Sequence, residues 1–464
     1  MTPPPPDDSS GRPTSPDFAF SPRLPPVEAQ IVGLYRQLES SQWWPAAQLH
    51  QWQFTQVAQL VAQAREHVPF YAETLGRLFP GVGAESKMDE DAWRSLPILT
   101  KEEVRTESAR LKSHAMLSSA SVYSEWTTGS SGVPLEVVKT PAADLLFRAI
   151  KLRMLREYGY DPMGKICEIR RPFWKSGNVV HRMPVWEWPF GNLFRSGEQV
   201  TMDIFTDISA QVQFLESEAP EYLLTFPSNL RLLLRAFRQG GRRLPTLRLV
   251  RMMSERLDPD LRTECQETLG VPLVDCYGCV EGGFLAVQCP EHPHYHVQSE
   301  MNLVEVLRDD GAPCQPGEIG RVVITPLHAF AMPLLRYELG DYAEVGEPCP
   351  CGRGQPVLRQ IYGRKKETLI LPSGERRYPI FASWIFASLR AVMQYQVVQK
   401  SPTSLEVRIV AERPLEKAET DQILEGFTQQ VGPNFEIRLV FVDHIPRRPG
   451  GKYSDFVSEM ETGN

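Results

Sequence analysis

The sequence predicts an α/β fold: a large N-terminal domain of parallel α/β layers with a β-rich subdomain, followed by a small α+β domain at the C-terminus. Three observations predict it. Short apolar runs alternate with helical patterns between residues 165 and 276, the signature of a parallel sheet with crossover helices. From 283 to 372 several strand-like runs follow one another with few helices between them. Near 365 the composition changes and a second, smaller alternation of strands and helices begins. Length agrees, because the chain's 464 residues exceed the ~250–300 at which a single hydrophobic core stops growing.

Taken in order, residues 1–26 are rich in proline, acids and serine and poor in large apolar side chains, which predicts a disordered leader. The N-terminal domain then spans 27–364 and the C-terminal domain 365–464. Residues 51–66 and 141–158 repeat their apolar positions every three to four residues and are expected as helices. Lys165–Ile169, Glu221–Thr225, Leu247–Met253 and Pro272–Cys276 are expected as strands, and Pro227–Gln239 and Asp258–Leu269 as helices. In the C-terminal domain the pattern reads helix at 380–389, strands at 392–400 and 405–411, helix at 415–431 and strand at 435–442. No internal repeat is present.

Charge and hydropathy narrow the function. Lys plus Arg number 50 against 57 Asp plus Glu, a formal charge of −7, which argues against a nucleic-acid partner. No stretch approaches the ~18 apolar residues of a membrane span, and the N-terminus lacks the pattern of a secretory signal. A cytoplasmic protein without membrane partners is the expectation.

The chemistry is carried by loops in a fixed order. Between two strand-like runs, Thr127, Thr128, Gly129, Ser130, Ser131 and Gly132 combine hydroxyl donors with glycines that accept positive φ and bring backbone N–H groups close to a ligand. Such a loop suits a phosphate. It is not the GxxxxGK[ST] nucleotide loop, because Val133-Pro134 follows the second glycine, and it serves equally as a polar hairpin turn. Downstream, an apolar run breaks at Tyr277-Gly278 with Glu281 three residues on, a carboxylate that can meet a metal. The run Leu-Arg-Tyr-Glu-Leu-Gly-Asp leaves a strand through Gly340 and ends on Asp341, whose two oxygens can accept both hydroxyls of a ribose. Tyr362-Gly363-Arg364-Lys365-Lys366 marks the change of composition, and Ile445–Lys452 forms a proline- and glycine-rich loop presenting one lysine. Singly, these residues read as a core tyrosine, surface acids, a charged turn and a basic tail.

In this order the set resembles the adenylate-forming (AMP-binding) superfamily, and within it the phenylacetate-coenzyme A ligase and CapK-like branch, over residues 50–457. The resemblance sets the phosphate loop on Thr127–Pro134, the Tyr-Gly-x-x-Glu motif on Tyr277–Glu281 and the Arg-Tyr-x-x-Gly-Asp motif on Arg336–Asp341. It sets the Gly-Arg motif on Gly363 and Arg364 and the Gly-Lys motif on Gly451 and Lys452. One departure is Val133, where many relatives carry a lysine. The resemblance implies that the C-terminal domain swings about a hinge near Lys366, so that Lys452 acts only in the first half-reaction. It implies ATP and Mg²⁺, with the loop on the β- and γ-phosphates, Glu281 on Mg²⁺, Asp341 on the ribose and Arg364 beside the nucleotide. Lys452 would reach a carboxylate oxygen and the α-phosphate, neutralising charge in an in-line displacement between two anions. Ser254, Glu255 and Arg256, with Asp275, Tyr277 and Gly278, would frame the adenine.

Five of the eight cysteines, Cys167, Cys265, Cys276, Cys279 and Cys314, are scattered and read as thiols of a reducing compartment. The other three are grouped: Cys289 heads a cluster with His292, His294 and His296, and Cys349-Pro-Cys351-Gly is a two-thiol knuckle. One Zn²⁺ joining the two would have the closed four-ligand set of a structural site; solvated histidines with free thiols is the alternative. The resembling branch implies Cys289, His296, Cys349 and Cys351 as the ligands.

The activity implied is AMP-forming activation of a carboxylic acid followed by transfer to coenzyme A. Transfer of the acyl group to an amine or a carrier-protein thiol is a second reading, and a nucleotide-binding relative without catalysis a third, opposed by the joint presence of Glu281, Asp341, Arg364 and Lys452. An aromatic-rich stretch at 170–196 is a candidate acyl-pocket lining or core. The branch implies a homodimer, although no heptad or long apolar stripe speaks to oligomeric state.

Overall fold

The structure is a computed structural model and describes residues 18–83, 88–119, 121–127, 134–171, 179–364, 369–374, 376–377, 382, 385–386, 389, 391–448 and 450–460. Two compact units divide the chain. The first takes the residues up to Ile166 with Arg182–Val200 and Val274–Ile361; the second takes Cys167–His181, Thr201–Leu273 and Tyr362 onward. The expected parallel layer and the C-terminal region therefore belong to one unit.

In the first unit a seven-stranded sheet runs in the order Asn302–Leu307, Ile319–Pro326, Tyr337–Val345, Val357–Arg364, Tyr295–Val297, Gly283–Gln288, Cys276–Cys279. This is the β-rich subdomain. Ala46–His67 packs on it because Leu49, Val57, Leu60, Val61 and Ala64 recur at helical spacing and are buried. Val57, Leu60, Val61 and Ala64 join Leu285, Val322, Ile324 and Tyr337 in one core. Pro141–Glu157, close to the expected 141–158, starts on a proline at its first turn, where no N–H is needed.

Two strand breaks differ from expectation. The run Pro272–Cys276 does not end at Tyr277-Gly278: it changes sheet at Asp275, with Leu273–Val274 in one sheet and Cys276–Cys279 in the other. Asp275 anchors the crossing, its N–H donating to Gln288 Oε1 at 3.0 Å and its Oδ2 accepting from the Tyr295 hydroxyl at 2.7 Å. Nor does the strand at Tyr337 stop at Gly340. It continues to Val345 through a register shift opposite Arg321–Val323, with Gly340 at φ +85°, a conformation glycine takes without strain.

The N-terminal segment expected to be disordered to residue 26 is packed from Phe18. Its two phenylalanines explain the difference: Phe18 stacks on Phe194 at 5.1 Å and Phe20 meets Tyr35 edge-on at 5.8 Å. Residues 1–17 lie outside the described residues. In the aromatic stretch, Trp186, Phe190 and Phe194 are buried core, and Trp186 donates to Gly164 O at 2.9 Å.

The second unit holds a six-stranded sheet in the order Val180–Met183, Gln199–Asp203, Ile166–Arg170, Tyr222–Thr225, Leu249–Met252, Leu273–Val274. Tyr222–Thr225 and Leu249–Met252 pair in parallel, and Pro227–Gln239 is the crossover between them, with Leu230, Leu233, Leu234 and Phe237 buried. Its C-terminal part is a four-stranded sheet in the order Glu436–Phe441, Ser404–Ala411, Val392–Ser401, Phe456–Ser458, covered by Lys417–Val431 through Ile423, Phe427 and Val431. The helix expected at 380–389 falls mostly outside the described residues. Among the described residues no helix is long and apolar enough to cross a membrane.

Candidate active site and metal centre

Within the first unit, two tyrosines orient two carboxylates. Tyr277 donates its hydroxyl to Asp341 Oδ2 at 2.8 Å, and Tyr337 donates to Glu281 Oε1 at 3.3 Å. Glu281 is buried and Asp341 half-buried. Gly278, opposite Phe284 across the strand pair, has no room for a side chain, since a Cβ there would lie 2.6 Å from Gly283 O. Burial, reinforced by the Glu281 charge, pushes the neighbouring Cys279 thiol well up, which keeps it protonated.

Arg336, at φ +50°, holds this strand in place. Its guanidinium pairs with both oxygens of Glu305, at 3.2 and 3.0 Å, and donates to Arg94 O at 2.5 Å and Leu96 O at 2.8 Å. Leu99 adds two backbone bonds, to Arg336 O at 3.0 Å and from Glu338 N at 2.9 Å.

Thr127 closes the base of a hairpin between Tyr123–Trp126 and Glu136–Lys139: its N–H donates to Leu135 O and its hydroxyl oxygen accepts from Leu135 N, both at 2.9 Å. Thr128, Gly129, Ser130, Ser131, Gly132 and Lys366 lie outside the described residues.

Within the second unit, the Lys452 loop lies at the carboxyl ends of two parallel strands, where ligands of open α/β sheets bind. After Tyr222–Thr225 comes Ser228; after Leu249–Met252 come Ser254, at φ +68°, and Glu255. Glu255 turns its carboxylate into its own chain, accepting from Ser228 N at 3.0 Å and from Tyr453 N at 2.5 Å. Arg256 pairs with Asp455 at 2.5 Å and Asp258 at 3.2 Å. Gly451 has φ +84°, and a Cβ there would come within 3.0 Å of Ile204 Cγ2. Arg364 ends the strand that begins at Val357.

The candidate metal centre is assembled from two loops, Cys289 standing 60 residues before Cys349 in the chain. Cys289, His296, Cys349 and Cys351 bring their four donor atoms within 4.8 Å of one another. Cys289 Sγ and Cys349 Sγ lie 3.8 Å apart, and Cys351 Sγ and His296 Nε2 3.5 Å. A tetrahedron with ~2.3 Å metal–sulfur and ~2.0 Å metal–nitrogen bonds has edges of about 3.8 and 3.5 Å, so these side chains fit Zn²⁺. Burial, then the Arg353 charge, holds the His296 imidazole down at about 3 and therefore neutral, the form that ligates. Burial pushes Cys349 up to about 12, whereas Cys351 is lowered because the Arg353 donors and charge outweigh its desolvation. Arg353 Nη1 stands 3.5 Å from Cys351 Sγ, and Cys351 N donates to Cys349 Sγ at 3.4 Å. Such outer contacts orient ligands. His292 and His294 stack on each other at 5.3 Å and are not part of the four-donor group.

Sequence reasoning missed Tyr337 as the partner of Glu281, although it stands inside the Arg-Tyr-x-x-Gly-Asp motif, and missed Ser228 and Arg447, which no local pattern marks.

Residues 56–330 match the AMP-binding enzyme family, and residues 370–459 match the CapK C-terminal domain. The chain belongs to the AMP-binding enzyme family. Among relatives of this AMP-binding enzyme, a phenylacetate-coenzyme A ligase of Thermus thermophilus is 26% identical over 450 residues, covering 88% of this chain and 96% of the relative. Among solved structures, 2-hydroxyisobutyryl-CoA ligase in complex with 2-HIB-AMP is similar with TM-score 0.72 at 17% identity, covering 91% of this chain and 92% of that one. An anthranilate CoA ligase in complex with anthranoyl-AMP has TM-score 0.54 at 17% identity, over 71% of this chain and 65% of that one. These structures share the AMP-binding fold.

Proposed function

We propose that this AMP-binding enzyme is an acid–coenzyme A ligase that works in two steps. A carboxylate oxygen attacks the α-phosphorus of ATP, the bond from that phosphorus to the bridging oxygen breaks, and pyrophosphate leaves an acyl-adenylate. Coenzyme A then loses its thiol proton to solvent, the thiolate attacks the acyl carbon and AMP departs. The observation that carries this reading is Gly451-Lys452 held at the carboxyl ends of the parallel strands beside Ser254-Glu255; the full-length similarity to a phenylacetate-coenzyme A ligase supports it.

The roles follow from charge. Lys452 offsets the negative charge that gathers on the α-phosphate in the transition state. Asp341, fixed by Tyr277, accepts from the ribose hydroxyls. Glu281, fixed by Tyr337, is the one carboxylate we assign to Mg²⁺, an ion that takes one or two carboxylates together with substrate phosphates. Thr127–Gly132 would receive the β- and γ-phosphates, Asp275 and Gly278 would flank the adenine, and Arg364 and Lys366 would serve at the nucleotide and the hinge. The Cys289, His296, Cys349 and Cys351 group is read as a structural Zn²⁺ site, since four protein donors leave no position for substrate. A reducing cytoplasm suits eight cysteines that form no disulfide.

Coenzyme A-dependent AMP formation from ATP with a panel of aryl, fatty and hydroxy acids tests the proposal. Amide formation with an amine in place of coenzyme A would overturn the acceptor.

A further inference from the structure

Lys452 is bracketed by two anchored neighbours. On its N-terminal side, Gly451 O accepts from Arg447 Nη1 at 3.1 Å; on its C-terminal side, Tyr453 N donates to Glu255 Oε1 at 2.5 Å. The anchors are themselves tied. Arg447 Nη1 lies 3.6 Å from Glu255 Oε1 and donates to Ser228 Oγ at 2.7 Å, while Ser228 N donates to Glu255 Oε2 at 3.0 Å. The side chains of Arg447 and Glu255 are only 10% and 7% exposed. Three chain segments thus converge on one buried ion pair, two from the strand ends and one from the loop that carries the lysine.

We infer that Glu255 and Arg447 form a latch that docks the Lys452 loop on the parallel sheet for acyl-adenylate formation and opens before thioester formation. The inference rests on the two-step reading above, and it assigns the pair as positioning residues that act through Lys452.

Three features suit a latch better than a permanent brace. All loop-side contacts of Glu255 and Arg447 come from residues 447–453, so one movement of that segment releases them together. Burial pushes the Glu255 carboxyl up and the Arg447 guanidinium down, so desolvation opposes both charges. A pair that bears this desolvation gains little net from its attraction, so separating it costs less than the contact alone suggests. Finally, Glu255 is aimed at the loop by Ser254 in the left-handed region, a conformation that a serine holds only where its surroundings require it.

The test separates the half-reactions. In R447M, carboxylate-dependent ATP–pyrophosphate exchange should fall about 100-fold, the scale of a misplaced catalytic group. Conversion of supplied acyl-adenylate and coenzyme A should stay within about threefold, and R447K should recover part of the exchange. Equal loss in both halves would overturn the latch. Independently of activity, hydrogen exchange at the Tyr453 amide should accelerate on the order of tenfold in E255Q, which weakens a charge-assisted bond; an unchanged rate would overturn the latch. Wild-type protein silent with every acid would instead refute the ligase reading, while an unchanged Tyr453 amide would independently refute the docking contact of the latch. Should E255Q not fold, the same amide is read in R447M.

Discussion

Replacing Cys349 by serine tests whether the Cys/His cluster holds a metal. The size of the effect can be worked from the donor spacing. Dividing the 3.8 Å between Cys289 Sγ and Cys349 Sγ by about 1.63, the edge-to-bond ratio of a regular tetrahedron, gives about 2.3 Å, the Zn–S bond length. X-ray absorption of the purified protein should therefore show three sulfurs at about 2.3 Å and one nitrogen at about 2.0 Å, with one zinc per chain. In C349S the sulfur shell should lose one member and the zinc should be removed by weaker chelators. If free zinc stands 100-fold above its dissociation constant, occupancy contributes about 2.7 kcal/mol, and a unit of this size loses roughly 2–4 °C of Tm per kcal/mol. C349S should then melt about 5–11 °C lower in zinc-containing buffer. The pH sense is fixed as well. Burial raises Cys289 and holds Cys349 up at about 12, so metal must displace protons from these thiols and binding should weaken as pH falls. Protein that carries no metal in a sulfur-rich shell, or C349S with unaltered metal content and melting, would refute a zinc site at these residues.

Further consequences follow from other groups. D341A removes the acceptor assigned to the ribose, and a hydrogen bond to a charged group is worth ~1.5–3 kcal/mol, so steady-state kinetics should show KM for ATP raised about 10- to 150-fold with little change in melting. E300Q strands the fully buried Arg153, whose Nη1 donates to Glu300 Oε1 at 2.8 Å; denaturant titration should show a loss of ~3–5 kcal/mol. Burial raises the Glu300 carboxyl, but the Arg153 charge and hydrogen bonds and the Ser41 hydroxyl outweigh it and hold the group below the usual carboxylate range. Its stabilisation is therefore present above that range and lost as pH falls through the lowered value, so wild type and E300Q should converge on acidification.

Much of this was legible in the sequence where local physics decides the outcome. Pro227–Gln239 forms over the expected residues because a proline opens it and an apolar stripe of leucines and Phe237 faces the sheet. The break at Asp275 was not legible, since Val274 and Cys276 look like one apolar run and only the Gln288 and Tyr295 partners reveal the change of sheet. Gly340 reads as a strand end in sequence and proves to be a bulge, because a single positive-φ glycine marks either. At the candidate metal centre the grouping of Cys289, Cys349 and Cys351 was visible, but spacing alone does not choose among His292, His294 and His296; the fold does, by placing His296 in the four-donor group with the thiols. Glu255 and Tyr453 stand 198 residues apart, and no sequence pattern announces a contact of that range.

The proposed activity turns on Lys452 serving acyl-adenylate formation. It is tested most directly by carboxylate-dependent ATP–pyrophosphate exchange in wild type and K452A, alongside turnover of a supplied acyl-adenylate. Exchange is expected with at least one acid class, with a loss of about 10²–10³-fold in K452A and thioester formation from the adenylate near the wild-type rate. Exchange that survives in K452A, or equal loss of both half-reactions, would contradict it.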